Sequence, residues 1–153
     1  MKILVTETQL KKIISENRNF DFKNVKFKLR NPKKNVLLFV PTIALLKQHQ
    51  KDNPSMSILD KSNQIGNRVE KAKQFIINYI EDQTAIHPIS GGRADYLGVH
   101  HFEPSMVYLD YDGKLDFEDG RHRVLAAYEL GIQEVPIEVS TNQADDIRNL
   151  LNV

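Results

Sequence analysis

Apolar residues along the chain fall into two kinds of pattern. Between Asn67 and Asp82 they recur three and four residues apart, at Val69, Ala72, Phe75, Ile76, Tyr79 and Ile80. That spacing lines one face of an amphipathic helix. Val5 to Asn17 has the same period through Leu10, Ile13 and Ile14, and Thr6 and Gln9 stand at capping-box spacing. Pro41-Thr42 introduces a short helix over Ile43 to Gln50, and Gln143 to Leu151 closes the chain as another. The second pattern is short apolar or alternating runs of strand length: Val25 to Leu29, Val36 to Val40, Phe102 to Leu109, Leu115 to Phe117 and Glu134 to Val139. Asp112-Gly113 predicts a two-residue hairpin turn between the third and fourth of these. Residues 51–66 are polar and rich in Asn, Pro and Ser, and read as a loop; 84–103 reads as a long connection. The elements predict one α/β (α+β) domain, a small mixed sheet flanked by helices. The helix over Asn67 to Asp82 is expected to pack Phe75, Ile76 and Tyr79 against the sheet.

Composition narrows the class. The 153 residues, 41% hydrophobic and 27% charged, suit a single globular core. There is no cysteine, hence no disulfide framework and no thiolate metal site. No run is apolar enough to cross a bilayer, and the start of the chain lacks the features of a secretory leader, so the cytoplasm is the expected location and no membrane partner is expected. Charge is unevenly spread. Residues 1–34 carry ten Lys or Arg against three acids; residues 35–153 carry eleven against seventeen. Lys26, Lys28 and Arg30 alternate with Val25, Phe27 and Leu29, which gives an expected strand one cationic face. Lysines of this kind commonly guard a solvated sheet edge; the other reading is a track for DNA or another polyanion.

The chemistry concentrates in Asp119-Gly120-Arg121-His122-Arg123, followed by Val124 to Leu130 and Gly131. It reads as a strand end, a glycine turn and a short helix. Gly120 lets the backbone come close to a ligand. The first helical turn offers unpaired N–H groups at the positive end of the dipole. With Arg121, His122 and Arg123 at the same place, a phosphate is the fitting ligand. Cations at a helix N-terminus oppose the dipole, a local conflict of the kind functional sites carry. The same two influences, dipole and flanking arginines, should keep His122 neutral in the empty site. Arg123 is expected at a solvent-facing pocket. Glu118 and Asp119 lie beside the expected phosphate and could hold Mg²⁺, with Asp119 preferred; the remaining hairpin acids Asp110, Asp112 and Asp116 read as solvated. His100, His101 and Glu103 match no zinc spacing and read as pocket-lining or surface residues. Gly91-Gly92-Arg93 is a glycine turn that could fold Arg93 over bound phosphates.

The same run resembles the ParB/sulfiredoxin-like fold family. Gly120, Arg123 and Ala126 match its G-x-x-R-x-x-A motif; Asp119, Gly120, His122 and Arg123 match its aspartate-glycine-x-histidine-arginine variant. The likeness is clearest from Phe102 to Val139 and reaches back to Val36. It implies a nucleotide-phosphate site, with a core over 35–140 between a basic segment, 1–34, and a C-terminal helix, 141–153. Sulfiredoxin chemistry is excluded, because the motif has no cysteine. With fourteen residues after Val139, partitioning by an appended helix-turn-helix is not expected. The branch that phosphorylates free serine uses a glutamate after the first core strand, where this chain has Val40 to Leu46 without an acid. The chain is most similar to small stand-alone ParB-like proteins, some labelled nucleases, and its opening resembles leaders of phage-encoded proteins, which would make the host cytoplasm its location. The expectation is binding of a nucleoside di- or triphosphate with Mg²⁺, and phosphoryl transfer or hydrolysis. Gly120, Arg121, His122, Arg123 and Arg93 would bind the nucleotide; Asp119 and His122 would be catalytic. The alternatives are a ParB-like nuclease or DNA-binding protein, and a non-enzymatic module switched by nucleotide.

Overall fold

The computed structural model describes Phe22 and residues 25–81 and 102–153, without the side chains of Asn78, Tyr79 and Glu81. The expected helix over Val5 to Asn17, the Gly91-Gly92-Arg93 turn and the His100-His101 pair lie outside the described residues. Within them the chain runs β1 (Asn35–Pro41), α1 (Thr42–Asp52), α2 (Arg68–Glu81), β2 (Ser105–Leu109), β3 (Leu115–Asp119), α3 (Arg121–Glu129), β4 (Glu134–Ser140) and α4 (Ala144–Leu151). The strands form one mixed sheet in the order β1-β4-β2-β3. β4 is antiparallel to β1 and parallel to β2, and β3 returns antiparallel to β2. The chain is a single α+β domain, as the apolar patterns predict. Among the described residues no helix is long and apolar enough to cross a membrane.

Alternation along the strands sets the core. Leu38 and Val40 of β1 stand opposite Ile137 and Val135 of β4, and all four are buried. Val107 and Leu115 extend that face across β2 and β3. The helices supply the other layer, through Leu45 and Leu46 of α1, Val124 and Ala127 of α3, and Ile147 and Leu151 of α4. Phe75 and Ile76 of α2 are buried, with Phe75 stacked on Phe102 at 5.3 Å. Pro136 lies within β4, the strand between β1 and β2, yet costs no ladder bond there. The pairing of β4 with β2 begins only at Ile137, beyond the residue that lacks an N–H.

Two local expectations are corrected. The run Val25 to Leu29 is not a regular strand; Phe27 alone bridges to Phe102, through Lys28 N to Phe102 O at 3.0 Å and Phe102 N to Lys26 O at 2.8 Å. Ring contacts hold the segment, with Phe27 edge-on to Phe39 and to Phe102. Beyond it, the backbone N–H groups of Arg30 and Asn31 both donate to the buried carboxylate of Glu138, at 2.9 and 3.0 Å. The β2–β3 connection is also longer than two residues. Asp110 pairs with Lys114 through the backbone, and the Asp110 carboxylate accepts from Asp112 N and Lys114 N, both at 2.9 Å. Gly113, at φ +76°, then supplies the left-handed residue that such a loop needs.

Candidate anion site at the start of the motif helix

Gly120 links β3 to α3 in the left-handed region, at φ 89° and ψ 16°. A Cβ there would lie 2.4 Å from Ser105 Oγ and 2.8 Å from Arg123 Nη2. Both steric position and backbone angle therefore require glycine. Ser105, buried on β2, donates its hydroxyl to Gly120 O at 2.9 Å and fixes the turn. The same carbonyl accepts from Arg123 N and Val124 N, at 3.1 and 3.2 Å. The N–H groups of Arg121 and His122 have no partner among the described residues, as expected for the first turn of a helix.

The three basic side chains diverge. Arg121 turns to the loop 53–67, donating to Met56 O at 3.0 Å and, at the limit of bonding distance, to Asn63 O at 3.5 Å. His122 is buried, and its Nε2 accepts the N–H of Ile65 at 3.1 Å. That bond leaves the single ring proton on Nδ1. Burial first, then the charges of Arg121 and Arg68, lower the proton affinity of His122 below the ordinary histidine value, in line with a neutral ring. So two of the motif's basic residues tether a loop that itself forms two 3₁₀ turns, Pro54–Met56 and Lys61–Asn63.

Arg123 is not at a solvent-facing pocket. Its residue is 8% exposed, and its guanidinium donates to Glu103 O and to Asp119 Oδ2, the latter at 3.2 Å. Burial pulls its proton affinity down while Asp119 and Glu103 oppose that. The cavity it lines with Phe22, Phe102, Ser105 and Val124 is about 10 Å³, room for one water at most. Sequence reasoning placed Arg123 outward because a motif arginine was paired with a ligand. The main chain of Glu103 and the side chain of Asp119 satisfy it instead.

Asp119 has a second partner that the sequence pattern missed. Arg30, 89 residues away, also donates to Asp119 Oδ2, and lies 3.8 Å from Glu103 Oε2. The only signal for Arg30 was its place on an alternating cationic run. Glu118 is exposed and stands at a bulge of β3, between Phe117, paired with Val107, and Asp119, paired with Met106. Among the described residues no three His, Asp or Glu side chains gather as metal ligands. Asp119 Oδ2 already carries two guanidinium partners, Arg30 and Arg123.

Asp116, expected to be solvated, instead accepts from the edge of the core. His49 of α1, 1% exposed, places Nε2 at 3.0 Å from Asp116 Oδ1, and Tyr108 donates to Oδ2 at 3.3 Å. His49 Nδ1 is buried and has no hydrogen-bond partner among the described residues. Partial burial, then the charge of Asp116, raises the affinity of Tyr108 for its proton. The pair joins α1 to β3 and lies apart from the motif.

No family model, curated protein or solved structure matches this chain.

Proposed function

We propose that the chain is a ParB/sulfiredoxin-like domain that binds a nucleoside di- or triphosphate at the turn from Asp119 to Arg123 and acts on its phosphates by transfer or hydrolysis. The observation that carries the reading is Gly120 in the left-handed region. It turns β3 directly into α3, so that the N–H groups of Arg121 and His122, without a partner among the described residues, follow at once on Asp119, the residue that joins Arg30 and Arg123. Backbone N–H groups and guanidinium forks in one place are the donors that phosphate oxygens take up. Catalysis at such a site rests on positioning and charge, and needs little covalent chemistry from the protein. Magnesium in this reading arrives on the nucleotide phosphates.

Titration calorimetry of the full chain with a panel of nucleoside di- and triphosphates, with and without Mg²⁺, tests it. Saturable binding of a phosphorylated nucleotide, and not of its nucleoside, is the expected result. Flat titrations across the panel refute the reading. Phosphate release during the same incubations separates an enzyme from a module that only switches.

A second reading has its own observation. Lys26, Arg30, Lys33 and Lys34 are all exposed along one segment, which suits DNA or another polyanion. Binding to duplex DNA that weakens steeply with salt, together with cleavage, would favour it.

A further inference from the structure

We infer that Asp119 is a built-in stand-in for the anion: its carboxylate occupies the place between Arg30 and Arg123 that a phosphate oxygen takes when the ligand binds. This rests on the phosphate-site reading above, but gives Asp119 a role opposite to metal ligand or base. Both guanidinium groups donate to one and the same oxygen, Oδ2. Each arginine gives one N–H to that oxygen, a charge-assisted bond of the kind guanidinium groups also make to phosphate oxygens.

The accessibility of the three groups fits an exchange. Arg123 is fixed, with its side chain 8% exposed and its other nitrogen on Glu103 O. The side chains of Asp119 and Arg30 are 43% and 36% exposed, so carboxylate and outer guanidinium are reachable from solvent. An ion pair as exposed as this holds its partners weakly, and a more highly charged anion can displace the carboxylate. Charge balance gives the direction. With Asp119 in place, Arg30 and Arg123 are offset by Asp119 and Glu103. With Asp119 rotated into solvent, one positive charge is left uncompensated for the ligand. Arg30 then becomes a ligand-binding residue delivered from outside the motif.

The test is binding of inorganic pyrophosphate and of nucleoside triphosphates to the full chain without Mg²⁺. Asp119→Asn keeps the shape and removes the charge; it should bind pyrophosphate about two- to five-fold more tightly, the scale of a released exposed ion pair. Arg30→Ala should bind roughly ten-fold more weakly, as for loss of a charged hydrogen bond, and should do so in the Asp119→Asn background as well. Asp112→Asn and Lys33→Ala make the same formal charge changes at exposed positions, and should move the affinity by less than about two-fold. Should the Asn variant not fold, Asp119→Ser removes the same carboxylate and should give the same tightening. Equal or weaker binding by the Asp119 variants, or equal tightening by Asp112→Asn, overturns the inference. If the unaltered chain binds nucleotide and Asp119→Asn does not gain, the inference fails and the nucleotide reading stands. If no nucleotide binds but Asp119→Asn takes up pyrophosphate more tightly than the unaltered chain, the nucleotide reading fails and the stand-in remains. If neither protein binds either probe, both fall.

Discussion

Replacing Gly120 by Ala separates two costs that usually come together. The first is conformational. At φ 89° an L-residue is strained, by about 1–2 kcal/mol. The second is steric. The new methyl would meet Ser105 Oγ at 2.4 Å, and Ser105 Cβ and Arg123 Nη2 at 2.8 Å. Ser105 and Arg123 are 3% and 8% exposed, so neither can retreat into solvent, and overpacking of this kind costs about 1–3 kcal/mol. The sum is a loss of about 2–5 kcal/mol. Gly113 provides the comparison. It has φ +76° and nothing within 4 Å of the Cβ position, so Gly113→Ala should lose only the conformational part, about 1–2 kcal/mol. Urea unfolding followed by circular dichroism reads both, with the slope checked for constancy between variants. Ser105→Gly in the Gly120→Ala background should recover part of the steric loss. Equal losses for Gly120→Ala and Gly113→Ala would refute the close packing around the motif turn.

Further outcomes follow from burial and charge. Arg123→Ala should destabilise the fold by at least about 1.5–3 kcal/mol, since it removes charged hydrogen bonds to Glu103 O and Asp119 from a buried place; a loss below about 0.5 kcal/mol in chemical denaturation would return the residue to a solvent-facing role. Phe75→Ala should cost about 3–5 kcal/mol in the same assay, because the ring is 1% exposed and stacked on Phe102. For His122 the folded chain binds a proton less readily than the unfolded chain, whose value is 6.5. Its contribution to stability is therefore complete above that pH and declines as the pH falls through 6.5, where the unfolded state takes up the proton first. Thermal melts from pH 8 to 5 should show this decline, and His122→Gln should reduce it; identical pH profiles would remove His122 as its source.

The sequence carried the fold further than the site. Helical and alternating periods located β1, α1, α2, β4 and α4 to within a residue or two, because each buries one stripe or face and the pattern records that burial. The run Val25 to Leu29 alternates equally well but, among the described residues, bridges to Phe102 at one position alone, and a pattern cannot supply the partner. The hairpin turn was misread because Asp110 reaches two N–H groups ahead of it and lengthens the loop. At the site, residue types marked the place and not the contacts. Arg121, His122 and Arg123 find Met56, Ile65 and Glu103 across 65, 57 and 20 residues, and Arg30 arrives from 89 away. Those separations are set by how the layers close, which no local spacing encodes.

The tether between α3 and the loop 53–67 reads main chain only: the carbonyls of Met56 and Asn63 and the N–H of Ile65. The side chains of Met56 and Ile65 stand about half exposed and take no part in it. Such an attachment is blind to the identity of the residues it grips. These two positions can drift through almost any side chain while the loop stays where it is. The exception is proline at position 65, which has no N–H for His122 to accept. The loop's outer surface is thereby free to change its chemistry without loosening the motif beneath it.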